Sequence, residues 1–327
     1  MTRRIVIAGA SGFVGRHLVP VLREAGQEVV CGTRNPTLAR EYEPDKTWVH
    51  LDVNDSSSLD RALEGADSLV YLVHQMRHGV DDLLESERQS ALRVRDAADK
   101  AGLRRVVYLG GPTPDGEVSH HLEARLETGR VLRSGGVSAV ELQAGMIIGV
   151  GSQSWLIVRD LALRLPLMIL PSWLNRRSQP VGIHDVVRAI SACLDLEGSA
   201  SRCLSLPGPE ILTAREILER VAGQVGIRPV MVPVPVLTPS LSSHWIRWVT
   251  RADYTIARQL VDGLTSDLLG GVDSVWDCIP QLEPTALDQV IADTLAAELA
   301  IEMPVVQRYW EAIVRRLALR SKVQISD

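Results

Sequence analysis

Residues 3–26, RRIVIAGASGFVGRHLVPVLREAG, restrict this chain more than any other stretch. A short β-branched run at 5–7 reads as a buried strand. Phe13, Leu18, Val21 and Leu22 fall on one stripe of a following helix. Between them GASGFVG supplies Gly9, Ser11, Gly12, Phe13, Val14 and Gly15. Gly9 permits a tight turn, Gly12 lets a pyrophosphate approach the backbone, and Gly15 lets helix and strand pack closely. The helix start then offers unpaired N–H groups and a positive dipole to phosphate oxygens. In its strand–turn–helix setting the pattern predicts a dinucleotide site.

The rhythm continues. QEVVCGTR, TWVHLDV, ADSLVYLVH, GLRRVVYLGG and VSAVELQAG read as further strands, with helical patterns at 58–63 and 81–101 between them. Strands alternating with helices predict an α/β chain with a Rossmann-type, doubly wound parallel sheet. Residues 151–180 read as apolar, proline-bearing and irregular, and QPVGIHDVVRAISACLDL with RCLSLPGP as a return to the core. Thr213 and Glu216 stand at capping-box spacing before a helix. The expected division is a cofactor-binding core at 1–150 and 181–210, with a smaller, partly helical substrate-side region at 151–180 and 211–327.

The end of the second strand decides which dinucleotide fits. An acid there would hold ribose hydroxyls, but the sequence is Thr33–Arg34, with no acid until Glu41. Arginine suits a 2′-phosphate, so NADP(H) is the expected cofactor. Asp52 and Val53, after the third strand, are placed at the adenine edge. Leu72, Val73 and His74, ending the fourth, are placed beside the ribose.

With these pieces in order, the chain resembles the extended and atypical short-chain dehydrogenase/reductase superfamily, on the side of its NmrA-like branch and of the NADPH-binding accessory subunit of respiratory complex I. GASGFVG, GTRNP, YLVHQM, RRVVYLGG, HLEARLETGRVLRSGGV, LQAGMIIGVGS, SQPVGIHDVVRAI and VPVPVLTPSLSSHW carry the resemblance over most of 4–250. The resemblance implies a Ser after the fifth strand, a Tyr, and a Lys four residues past the Tyr. Here the Ser position reads Gly110–Gly111, His121 stands for the Tyr and Arg125 for the Lys. The superfamily's triad is therefore replaced. His121 is the candidate proton donor, with His74 and His120 nearby, and Arg125 is a candidate clamp on the cofactor that stays charged throughout.

Met146, Ile147, Trp155, Leu156, Leu165, Leu167, Met168, Ile169 and Trp173 are placed around an apolar pocket for a hydrophobic small molecule. The expected activity is NADPH-dependent reduction or oxidation of a hydrophobic carbonyl, enone or quinone. Two alternatives stand beside it: a redox-silent isomerase or cyclase using the same pocket, and a non-catalytic NADP(H)-binding sensor or assembly protein. A net charge of −5 argues against nucleic acid as a partner. Cys31, Cys193, Cys203 and Cys278 form no CxxC pair and read as thiols of a reducing compartment. No metal site is expected. The absence of a signal-peptide pattern and of a clean membrane span predicts a cytoplasmic protein. The tail at 305–322 sets Arg308, Arg315, Arg316, Arg320 and Lys322 beside Trp310, Ile313 and Leu317, a pattern for a membrane surface or a partner. Superfamily members also pair through a four-helix interface, so the resemblance admits a homo-oligomer.

Overall fold

The computed structural model describes residues 2–74, 83–165, 167–171, 175–234 and 266–300. Seven parallel strands form one sheet in the order β11-β6-β5-β4-β1-β2-β3. They are β1 Arg4–Ala8, β2 Glu28–Thr33, β3 Thr47–His50, β4 Ser68–Tyr71, β5 Arg105–Gly110, β6 Ser138–Gln143 and β11 Arg202–Ser205. This is the doubly wound arrangement expected from the alternating pattern. The chain runs outward from β1 through β2 to β3, then returns to β4 on the other side. The strand order reverses between β1 and β4, and in such sheets ligands sit at the carboxyl ends there.

Both faces of the sheet are covered, so its strands are apolar on both sides. Ile5, Ile7, Cys31, Val70, Val107 and Val140 join Leu18 and Leu22 of α1 (Phe13–Glu24) and Val186 and Ile190 of α7 (Ile183–Cys193). The alternate residues Val6, Ala8, Val30, Leu69, Tyr71 and Tyr108 face α3 (Ser56–Leu63), α4 (Leu83–Ala101) and α5 (His120–Arg133). Arg105 of β5 is buried without an acid; it caps α7 by donating to the carbonyls of Cys193, Leu196 and Gly198. The four cysteines are free thiols, and burial raises Cys31 to about 11, Cys193 to about 12 and Cys203 to about 11.

A second, smaller core joins α6 (Gln153–Arg164), α8 (Ala214–Gln224) and the helix Leu287–Ala300, here α10. It is followed at its edge by β8 (Leu167–Pro171) pairing in parallel with β13 (Val230–Val234). The irregular reading of 151–180 is corrected here. Ser152 caps α6 by accepting from the Trp155 N–H, and a regular helix follows. Arg159 and Asp160, which look like polar interruptions, are buried and bonded to each other. Arg159 also pairs with Glu298 of α10, which accepts from Trp155 Nε1 at 3.1 Å. At α8 the expected capping box is present in both directions.

Candidate functional site

The glycine turn lies where β1 meets α1, on the carboxyl edge of the sheet. Gly9 has φ +89°, in the left-handed region that favours glycine. A Cβ there would also stand 3.2 Å from the Leu72 carbonyl carbon, so the turn is held against the end of β4. Gly15 packs on Ala10 and on the Gly9 carbonyl, with no room for a side chain at 2.6 Å. Gly12 caps α1 without any side-chain hydrogen bond, and the first turn carries no acid. The helix start therefore keeps free N–H groups and an uncancelled positive end. Ser11 and Gly12 are exposed, while Phe13 and Val14 are half-buried. These features fit the diphosphate of a nicotinamide dinucleotide.

Thr33 ends β2, and Arg34 follows it fully into solvent. Among the described residues no acid pairs with Arg34. Asp52 follows β3 and accepts from the Asn54 N–H at 2.9 Å, and Val53 beside it is buried. Leu72, Val73 and His74 continue from β4 and are half-buried. The expected dinucleotide residues thus border one edge of the sheet.

The second group sits beside that edge. Ser119 caps α5, accepting from the Leu122 N–H, which sets His121 and Arg125 one turn apart on the same side of the helix. His120 instead faces solvent and lies 4.0 Å from Glu123. Arg125 folds back onto the sheet, where its Nη2 donates to the Leu109 carbonyl at 3.0 Å. Gly111 makes this approach feasible, because a Cβ there would lie 3.1 Å from Arg125 Nε and 2.5 Å from Leu122 Cδ1. Tyr108 holds the helix from below by donating its hydroxyl to the Arg125 carbonyl at 3.1 Å. The His74 ring meets the Tyr108 ring edge-on, with centroids 6.1 Å apart.

These contacts set the electrostatics. Burial, then the Arg125 charge, lower His121 to about 4. Burial, Arg125 and His121 hold His74 well below its usual range, against a hydrogen bond donated by its ring to the Leu109 carbonyl, which favours the charged form. Both imidazoles are therefore neutral at neutral pH. As a hydrogen-bond donor, neutral His121 can polarise a carbonyl oxygen; as it stands, it is not an imidazolium acid.

Sequence reasoning paired His121 with Arg125 and put His74 nearby, and the structure sets His74 within reach of the charge of both. It missed Tyr108, whose signal was its place on the α4/α5 face two residues before Gly110. It also missed a buried polar line from the sheet edge inward. Thr113 Oγ1 donates to Gln143 Oε1 at 3.4 Å, Gln143 Nε2 donates to Glu141 at 3.2 Å, and Arg133 Nε donates to Glu141 at 2.9 Å.

The pocket assignment is corrected in part. Trp155 and Met168 lie within the second core. Met146, Ile147, Leu156 and Leu165 are half-buried. Leu167 and Ile169 lie in β8. Trp173, residues 75–82 and the tail at 305–322 lie outside the described residues. Among the described residues no helix is long and apolar enough to cross a membrane.

A family of NAD(P)H-binding domains matches residues 9–163. The chain is 27% identical to a 3-diazoavenalumate denitrifying reductase of Streptomyces sp, over 82% of this chain and 95% of the relative. It is 23% identical to a ceramide reductase of Caulobacter vibrioides, over 71% of this chain and 73% of the relative. The crystal structure of triphenylmethane reductase from Citrobacter sp., complexed with NADP(H), superposes with a TM-score of 0.71 at 17% identity. That match covers 89% of this chain and 99% of the other. The sheet order, the glycine turn and these likenesses agree on a doubly wound chain that carries an NAD(P)H-binding domain over residues 9–163 and shares the fold of that solved reductase.

Proposed function

We propose that the protein is an NADPH-dependent oxidoreductase acting on a hydrophobic carbonyl, enone or quinone. One observation carries the reading. The phosphate-binding turn and the cluster of His74, His121 and Arg125 share one edge of the sheet, joined through Leu72–His74 at the end of β4. The reductase relatives support a redox reaction over a redox-silent one.

In this reading Gly9–Gly15 hold the diphosphate, with Ser11 and the α1 N–H groups as donors. Thr33 and Arg34 hold the adenosine end, and the exposed guanidinium favours a 2′-phosphate over a bare ribose. Asp52 and Val53 flank the adenine. Reduced nicotinamide supplies a hydride when bound. His121 donates a hydrogen bond to the substrate oxygen on which charge develops, and burial strengthens that bond. The half-buried apolar side chains after β6, Met146 and Ile147 among them, face the hydrophobic body of the substrate.

The test is an equilibrium titration with NADPH and NADH, followed by reduced-nicotinamide absorbance during exposure to quinones, enones and hydrophobic ketones. Tighter NADPH binding and its consumption with one acceptor class uphold the proposal. NADPH binding with no consumption across the panel removes the redox reading.

A further inference from the structure

Among the described residues, Arg125 is a cation without a counter-ion. One Nη is committed to the Leu109 carbonyl, and Nε is buried with no hydrogen-bond partner. Among the described residues no carboxylate pairs with it. The acids on neighbouring elements are engaged elsewhere. Glu141 of β6 binds Arg133 and Gln143. Glu127, two residues further along α5, binds Arg130 and Arg88. Glu123 faces His120. Glu87 of α4 is buried and acts on Tyr71 and Tyr108. Among the described residues, the groups facing His121 are Arg125 on its own helix and His74 after β4, both basic or neutral.

A half-buried guanidinium next to two imidazoles, with no acid to balance it, makes a local excess of positive potential. Arginine also presents a planar fork that matches a carboxylate. We propose that the substrate carries a carboxylate that docks on Arg125 beside His121, so that the site selects amphipathic anions over their neutral analogues. This rests on the reading that the cluster is the substrate end of the site.

The arrangement has a chemical consequence. A carboxylate on Arg125 offsets the smaller of the two causes that discharge His121, the Arg125 charge, and shifts the imidazole towards its protonated form while burial still opposes it. Reduced nicotinamide, when bound, would supply the hydride to the carbonyl carbon, and the C=O π pair would move to oxygen. The His121 N–H bond breaks, an O–H bond forms, and the imidazolium returns to neutral imidazole. The substrate's own charge arms its proton donor.

The experiment uses the full chain loaded with NADPH and the probes trans-cinnamate and cinnamamide, which differ only in the anionic group. Calorimetric titration is expected to give cinnamate an advantage of about tenfold or more, the scale of a charge-assisted bidentate pair. Arg125→Gln should erase that advantage, while Arg125→Lys should keep part of it. In wild type, NMR of the His121 ring should show its titration midpoint rising when cinnamate binds and staying put with cinnamamide. Equal binding of the two probes, or an unmoved midpoint, overturns the proposal. So does an Arg125→Gln protein that loses NADPH affinity about tenfold with the cinnamate preference intact, since the guanidinium would then serve the cofactor. The wild-type measurements decide the matter even where the variant fails to fold. None of these readouts depends on turnover, so a failure to oxidise NADPH counts against the proposed function alone.

Discussion

In the proposed reading, Arg34 is the residue on which cofactor choice turns. It stands in solvent at the end of β2 with no acid beside it. Arg34→Glu should weaken NADPH binding by about 2–3 kcal/mol, as for a lost charge-assisted contact, and NADH binding far less. Parallel titrations check this, and equal losses would remove the 2′-phosphate assignment. His121 makes a prediction about pH. Its folded value, about 4, lies below its ordinary 6.5, so the folded state binds fewer protons than the unfolded chain in that window. Its contribution is intact above pH 6.5 and is lost as pH falls towards 4. His74 shifts the same way. Denaturant unfolding at neutral and mildly acid pH should show His121→Gln losing less stability than wild type on acidification, by on the order of 2 kcal/mol. A wild type and variant that fall in parallel would show that burial at His121 is not felt. His121 and Arg125 were legible one turn apart in the sequence. Their joint effect was not, because it depends on Arg125 folding onto the Leu109 carbonyl, a contact across sixteen residues.

Elements built on local rules were the most readable. The glycine turn, the strands of the main sheet and the Thr213 capping box rest on spacing within a few residues, and all appear. Helix α6 was missed because its Arg159–Asp160 pair makes an apolar run look broken, and Glu298 of α10, 139 residues from Arg159, supplies a partner for it in the core. Helix α5 carries a further long-range contact. A Cβ on Gly129 would fall 2.1 Å from Glu141 Oε2, and Arg133 and Gln143 hold that carboxylate in place. Gly223 in α8 has nothing within 4 Å of its missing Cβ. Both substitutions gain up to about 1 kcal/mol of helix propensity on going to Ala. At Gly129 the clash outweighs it, so Gly129→Ala should lose about 1–3 kcal/mol while Gly223→Ala should gain up to about 1. Thermal or urea unfolding of the two variants checks the contrast, and a stabilised Gly129→Ala would show that the Glu141 carboxylate is free to move.

Across the whole molecule, two cores divide the work. The sheet with its flanking helices fixes the cofactor edge, and the second core holds α6, α8 and α10 together. Glu298 joins two helices of that core through Arg159 and Trp155. Glu298→Ala removes the acceptor of the Trp155 N–H and one carboxylate partner of the buried Arg159 guanidinium, so it should cost about 2–3 kcal/mol of stability in denaturant unfolding and spare NADPH affinity. A loss of NADPH binding in the folded variant would show that the second core reaches into the cofactor site. Substrate identity was the least legible feature, because the side chains around the reacting end come from segments distant in sequence, and two of those expected to line a pocket, Trp155 and Met168, belong to a core instead. The measurement that tests the account most directly is isotope transfer. The protein is incubated with NADPH deuterated at the transferable position and a panel of enones and hydrophobic ketones, whose new C–D bonds do not exchange with water, and the products are weighed by mass spectrometry. The account expects a product one deuterium heavier, formed in step with NADPH loss. Product formed without deuterium, or bound NADPH that persists with every acceptor, would contradict it.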